Sequence, residues 1–268
     1  MELIFGDLSE LGDIEVKEVP CRTALSISGL ESDYAINPYR GCSHGCIYCY
    51  APFVLKEKRT WGTFVDIRRT IPAVLAKELK SKPPGTVRLG SVTDPYQPVE
   101  KIYQLTRLCL QQLKKAEIPV IIQTKSDLVL RDIDLFQDMD VDVGMTVTSI
   151  DDTFTKTFEP GSPMVGSRLE ALGKLNDAGI NTWAFIGPLI PGENDHVDGL
   201  TDLKNELLEV GTSEIYLDKL NMREGIWSKL EGILHEDRLA EYRCIFSQGS
   251  KYFEEKKEIY RVIGKLVF

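Results

Sequence analysis

Asn37-Pro38-Tyr39-Arg40-Gly41-Cys42-Ser43-His44-Gly45-Cys46-Ile47-Tyr48-Cys49-Tyr50 is the stretch on which the reading of this chain turns. Pro38, Gly41 and Gly45 argue for a loop, and the loop carries three of the six cysteines at C-x-x-x-C-x-x-C spacing. Cys21, Cys109 and Cys244 are scattered, so the six do not read as a disulfide framework. Three thiolates on so short a loop can wrap one face of an iron–sulfur cube. A cube of four irons normally takes four cysteines, so three leave one iron open to a non-protein ligand. Two other readings compete. Zinc could recruit His44 beside the thiols, but structural zinc sites usually pair two knuckles, and the chain has no second knuckle. Buried, unreactive cysteine suits Cys109, on the apolar face of a predicted helix, better than it suits a polar glycine-containing loop.

Downstream of the loop, helix and strand alternate. The pattern predicts a helix over 71–80, a strand over 86–89, and a helix over 102–114 with Ile102, Leu105, Cys109 and Leu113 on one face. A strand over 120–124, a helical segment near 132–136 and a strand over 141–148 come next. The series closes with a helix over 167–178 ended by Gly179, a strand over 182–186, a helix over 196–209 ended by Gly211, and a strand over 214–218. About six such units run from Tyr34 to Asp218. They require right-handed parallel crossovers, which build an open doubly wound sheet or a full or partial barrel. In either case the site lies at the C-terminal ends of the strands. Those ends are polar here: Ser91 to Asp94, Thr124-Lys125-Ser126, Thr146 to Ser149, Gly187-Pro188 and Asp218 to Asn221.

The chain has 268 residues, 43% of them hydrophobic, which is enough to fill a core and excludes disorder. Repeats and low-complexity linkers are absent, so residues 1–268 read as a single domain. Lys and Arg total 32 against 41 Asp and Glu, a net charge of -9 that disfavours a duplex-DNA coat protein. Lys56, Lys58, Arg59, Arg68 and Arg69 are interleaved with Glu57 and Asp66 and read as a solvated face. Residues 1–7 lack the pattern of a secretory signal. The longest uncharged apolar stretch, 178–192, is broken by Pro188 and Pro191 and is too short to span a bilayer. A cytoplasmic protein without membrane association is expected.

The spacing of Cys42, Cys46 and Cys49, with aromatic Tyr48 before the last, resembles that of the radical S-adenosylmethionine (SAM) enzymes. Asn37 to Cys42 and Ser91-Val92-Thr93-Asp94-Pro95-Tyr96-Gln97-Pro98 further resemble the branch that contains spore photoproduct lyase. The resemblance covers about 33–221. It implies an α/β fold: a partial (β/α)6 TIM-type barrel with a parallel sheet, an N-terminal lead-in and a helical C-terminal extension over 222–268. It also implies that Cys42, Cys46 and Cys49 hold one 4Fe-4S cluster whose fourth iron is chelated by SAM. One electron from a ferredoxin- or flavodoxin-type reductant then releases a 5'-deoxyadenosyl radical, which takes hydrogen from an unidentified substrate. By the same resemblance Tyr48 and Gly187 lie near adenine, Thr93 and Asp94 near the cofactor ammonium, and Lys125 and Arg168 near its carboxylate. Thr146 and Thr148 share one strand face and are assigned to the ribose or methionyl groups. Each has a plainer alternative: an N-cap for Asp94, a solvated strand end for Lys125, and a surface pair with Glu159 or Glu170 for Arg168.

The lyase itself places a hydrogen-donating cysteine just upstream of its Thr/Ser-Asp-Pro motif, where this chain has Ser91. A serine O–H bond is too strong for that task. A DNA-lesion repair lyase is therefore an alternative that needs another donor, Tyr96 or Tyr103, and a non-catalytic iron–sulfur or zinc protein is the alternative from another class. Ser91, Tyr96, Gln97, Asp218 and Asn221, all at strand ends, are the candidates for facing substrate.

Overall fold

Apolar residues at every second position of a strand give it one face for the helices, and the order in which strands pair decides between an open sheet and a barrel. The computed structural model describes residues 6–29 and 31–268; the first five residues of the stretch read for a secretory signal lie outside the described residues. Its strands are β1 (Glu15–Glu18), β2 (Ser26–Ile27), β3 (Tyr34–Ile36), β4 (Tyr39–Arg40), β5 (Phe64–Ile67), β6 (Val87–Leu89), β7 (Val120–Thr124), β8 (Val141–Thr146), β9 (Asn181–Leu189), β10 (Ile215–Lys219) and β11 (Lys265–Leu266). Its α-helices are α1 (Ala51–Val54), α2 (Ile71–Glu78), α3 (Glu100–Tyr103), α4 (Leu105–Lys115), α5 (Ile133–Phe136), α6 (Asp152–Phe158), α7 (Val165–Asp177), α8 (Val197–Glu209), α9 (Glu224–Glu231), α10 (Glu236–Ser247), α11 (Lys251–Glu255) and α12 (Lys257–Ile263).

The main sheet runs β11-β10-β9-β8-β7-β6-β3-β2, with every neighbouring pair parallel except β2 and β3. From β3 through β10 each new strand adds on the same side of the last. The order never reverses, as it would in a doubly wound sheet, so right-handed crossovers bring the crossover helices α2, α4, α7 and α8 to one face and the sheet curls around the other. The result is a partial barrel, with β2 and β11 as unpaired edges. The outer face carries Val87, Leu89, Val120, Ile122, Val143, Ile186 and Leu217, packed with Leu75 of α2, Leu113 of α4, Leu172 of α7 and Leu203 of α8. Each such Leu or Ile contributes about 2 kcal/mol through its burial. On the inner face Arg88, Gln123 and Thr146 form a ladder across β6, β7 and β8: Arg88 Nη1 reaches Gln123 Oε1 at 3.5 Å and Gln123 Nε2 donates to Thr146 Oγ1 at 3.2 Å.

Two expectations change, and one element is added. The helix expected over 102–114 is broken at Gln104, whose φ of 49° ends α3 and starts α4. Buried Glu100 accepts from the N–H groups of Thr106 and Arg107, the first orphan donors of α4, and so fixes that break. The C-terminal extension is not wholly helical, because β11 returns to pair with Tyr216 and Leu217 of β10. A second small sheet, β1-β5-β4, supports the lead-in and the cysteine loop.

Asp195, after β9, anchors the extension. Its buried carboxylate accepts from Tyr252 at 2.7 Å, Tyr260 at 3.0 Å, Lys256 at 2.9 Å and the Gly192 N–H at 2.6 Å. The basic group near the loop is mostly paired: Arg59 with Glu57 and Asp66, Arg69 with Glu18, and Arg68 with the carbonyls of Asn37 and Thr23. No described helix is long and apolar enough to cross a membrane.

Candidate active site

The cysteine loop is shaped by its backbone before its side chains act. Gly41 has φ +90°, and a Cβ there would lie 2.4 Å from the Phe64 carbonyl on β5, so only glycine fits. Gly45, at φ +61°, faces Gly62, whose Cα a Cβ there would meet at 3.3 Å. Ile47 N–H donates to the Phe158 carbonyl (2.9 Å) and Gly161 N–H to that of His44 (3.0 Å), tying the loop to the turn after α6.

The Ser91 to Pro98 segment grips the loop from the other side. Gln97, fully buried, accepts from Ser43 N–H at 2.9 Å and donates to the Gly41 carbonyl at 3.2 Å and to Thr93 Oγ1 at 2.9 Å. Thr93 donates to the same carbonyl at 2.6 Å. Asn37 donates to Ser91 Oγ and accepts from Val92 N–H, each at 3.0 Å. Asp94 accepts from Thr124 Oγ1 (2.6 Å), Lys125 N–H (2.8 Å) and Tyr96 N–H (2.9 Å), and faces His44 Nδ1 at 3.4 Å. The carboxylate thus binds the end of β7 to the turn after β6, a wider role than its plainer alternative, an N-cap.

Around the loop, burial raises the thiol pKa values: Cys42 well up, Cys46 up, and Cys49 to about 11. Burial also lowers the pKa of His44, whose Nε2 has no hydrogen-bond partner among the described residues. Behind Cys46 lies a buried polar knot. Glu159 accepts from Tyr48 Oη and from Thr148 Oγ1 (2.5 Å), and its other oxygen lies 2.5 Å from Arg168 Nη2. The last two atoms face each other as charges but off the line of a directed hydrogen bond, so both keep bonding capacity. Burial works against ionised Glu159, but Lys125 and Arg168 outweigh it and hold the carboxyl below its ordinary pKa. Burial likewise works against charged Lys125, yet the Cys46 sulfur and Glu159 raise its pKa, and its ammonium lies 5.6 Å from the Tyr48 ring centre.

Tyr48, Lys125, Thr148 and Arg168 therefore converge with Cys46 around Glu159. Arg168 is fully buried, bound to the Pro163 and Thr146 carbonyls and paired with Glu159, so the plainer alternative of a surface pair gives way to a buried one. Thr93 and Gln97 meet under the loop, and Gln97 faces it rather than a substrate space. Tyr96 does not join the site: it is fully buried in the main core and donates to Asp132. Tyr103 is also buried in that core. Ser91, Thr146, Gly187 and Asp218 stand at strand ends, with exposed Asn221 just beyond β10. A Cβ on Gly187 would strike the Phe185 ring at 2.3 Å, so Phe185 explains this glycine. Burial raises the Asp218 pKa. Sequence reasoning missed Arg88, whose Nε is buried and unpartnered among the described residues and whose pKa burial lowers. The signal was a cation alternating between apolar Val87 and Leu89, a pattern that aims it into the barrel.

A curled parallel sheet that brings three free thiols, buried cations and a lumen ladder to the C-terminal strand ends defines an α/β scaffold with a site suited to a cofactor. The profile of the Radical SAM superfamily matches residues 36–203, and the chain belongs to that superfamily. It is a radical SAM enzyme, and the family implies SAM, an iron–sulfur cluster and an electron donor. An uncharacterized protein of Methanocaldococcus jannaschii is 40% identical over 184 residues, 66% of this chain and 69% of that one. The Radical SAM Nalpha-GlyT isomerase of Pseudomonas phage M6 is 23% identical over 183 residues, 66% of this chain and 37% of that one. Spore photoproduct lyase, solved with a dinucleoside spore photoproduct, shares the fold at a TM-score of 0.63 and 18% identity, over 83% of this chain and 68% of that one.

The residues present fit these groups. Lys125 and Arg168 stand near Cys46 against Glu159, and Lys229, on the helix packed against the loop, has an Nζ without a hydrogen-bond partner among the described residues. Thiolates would supply the missing negative charge. Three thiolates on one loop can each bind a different iron of one cube.

Proposed function

We propose that this chain holds one 4Fe-4S cluster on Cys42, Cys46 and Cys49, binds SAM at the open iron, and uses it to abstract hydrogen from a substrate. The observation that carries this reading is the loop itself, with three free thiols presented at the strand ends beside a buried lysine, Lys229, whose Nζ has no hydrogen-bond partner among the described residues. When bound and reduced, the cluster and SAM together supply a carbon radical; the rest is the work of the chain's own residues. Gln97, Thr93 and Asp94 hold the loop and the ends of β6 and β7 in place. Lys125 and Arg168 offer a carboxylate their charge, with Glu159 fixing Arg168 and the Tyr48 hydroxyl. Thr146, Thr148 and Gly187 line the cofactor side. Ser91, Asp218, Asn221 and the ladder of Arg88 and Gln123 line the substrate side.

The domain spans 1–268, with its barrel over about 33–221. A cytoplasmic setting and an acidic one-electron carrier of the ferredoxin or flavodoxin type suit it: exposed Phe53 and Val54 lie just past the loop, close in sequence to the cations Lys56 and Lys58. DNA-lesion repair is not favoured. Ser91 replaces the donor thiol, while Tyr96 and Tyr103 are buried in the core. The test is anaerobic reconstitution with iron and sulfide, then SAM and a strong reductant, with 5'-deoxyadenosine read by mass spectrometry. The wild type is expected to form it and Cys46→Ala to form none; equal amounts from both would overturn the reading.

A further inference from the structure

Lys229 lies on α9, the helix of the C-terminal extension that packs Ile226 and Leu230 into one apolar cluster with Cys46 and Tyr48. Its Nζ is buried without a hydrogen-bond partner among the described residues. A buried ammonium left so is costly and calls for an acceptor. The nearby acid on the helix, Glu231, is engaged with Trp227 Nε1 at 2.8 Å and lies 3.9 Å from Arg243. Burial lowers the Lys229 pKa, and the groups that oppose this are the sulfurs of Cys49 and Cys46. Because α9 packs directly against Cys46, Tyr48 and Cys49, its buried ammonium lies at the cysteine loop, outside the barrel's own strands.

We propose that Lys229 is the outer-sphere cation of the cluster: it donates to a ligated cysteine sulfur of the loop and raises the cluster's reduction potential. The inference rests on the cluster reading under Proposed function. Reduction adds negative charge to a cluster already held by thiolates. A fixed cation and a hydrogen bond to sulfur favour the reduced form, because charge and sulfur hydrogen bonding set such potentials. The extension thereby tunes electron entry.

The test is a redox titration of the reconstituted full chain without SAM, read by EPR of the reduced cluster, with iron and sulfide counted in each sample. Wild type, Lys229→Met, Lys229→Gln and Lys229→Arg are compared. The two neutral variants are expected to disfavour reduction at least tenfold, a downward shift of about 59 mV for one electron, and Arg to restore the wild-type value. A purely steric role for the side chain would leave the potential in place. A neutral variant with full iron and wild-type potential overturns the inference, as does an Arg variant that shifts like Met. Should both neutral variants fold yet lose iron, retention by Arg upholds the need for charge, and loss in Arg overturns it. If the wild type assembles no iron cluster, the reading beneath falls first, before any variant is compared, and this inference falls with it.

Discussion

Replacing Glu159 with Met tests whether the knot behind Cys46 is held by charge. Glu159 and Arg168 are both fully buried and lie 2.5 Å apart, so the substitution strands a guanidinium with no solvent to receive it. Breaking such a pair costs about 3–5 kcal/mol. The Tyr48 and Thr148 hydroxyls also lose their acceptor, at about 1–3 kcal/mol each, although these losses overlap. A total near 4 kcal/mol corresponds to about 8–16 °C in Tm at about 2–4 °C per kcal/mol. Removing Arg168 as well relieves the stranded charge but leaves the Pro163 and Thr146 carbonyls without donors. Glu159→Met/Arg168→Met is therefore expected to recover about half of the loss. The assay is a double-mutant cycle from urea unfolding of the metal-free, reduced chain. A coupling energy below about 0.5 kcal/mol would refute the argument, since it would mean that the two charges do not sense each other.

Further expectations concern the latch and the loop clamp. Burial works against ionised Asp195, but donors from Lys256, Tyr252 and Gly192 outweigh it and hold its pKa below the ordinary aspartate value. A depressed carboxylate stabilises the fold above its unfolded pKa of about 3.9, and that stability is lost as pH falls through the folded value. Hydrogen exchange in Lys251–Glu255 and Lys257–Ile263 should therefore rise in acid before exchange in β7 does, and Asp195→Asn should show the fast exchange already at about pH 7. An unchanged profile in the variant would show that the carboxylate does not anchor the extension. Gln97→Leu leaves Ser43 N–H without its acceptor and should weaken iron retention against a chelator about tenfold, as loss of an outer-shell partner does. Retention equal to wild type would mean that Thr93 alone suffices to hold the loop.

Much of the architecture was legible because the outer strand faces are apolar and the helices amphipathic, and the expected strand over 120–124 and β7 coincide. The break at Gln104 was not legible, since Leu105, Cys109 and Leu113 keep helical spacing past a residue whose left-handed backbone is held by the buried Glu100 carboxylate and, across the fold, by Tyr39, which accepts from Leu105 N–H. Nor was β11, two residues long and paired only through tertiary return of the chain. At the site, the cysteine spacing stood out locally. Glu159 did not, because its importance comes from side chains that meet only in the fold: Tyr48, Thr148 and Arg168. Tyr96 looked like a strand-end residue, but the turn set by Asp94 directs its ring into the core, where Asp132 accepts its hydroxyl.

The most direct test of the central claim is spectroscopic. The anaerobically reconstituted chain is analysed for iron, sulfide and zinc, and the EPR signal of its reduced form is recorded before and after adding SAM. The account predicts about four irons and four sulfides per chain, no zinc, and a signal that changes when SAM reaches the open iron. One zinc per chain without sulfide, or an iron signal indifferent to SAM, would contradict it.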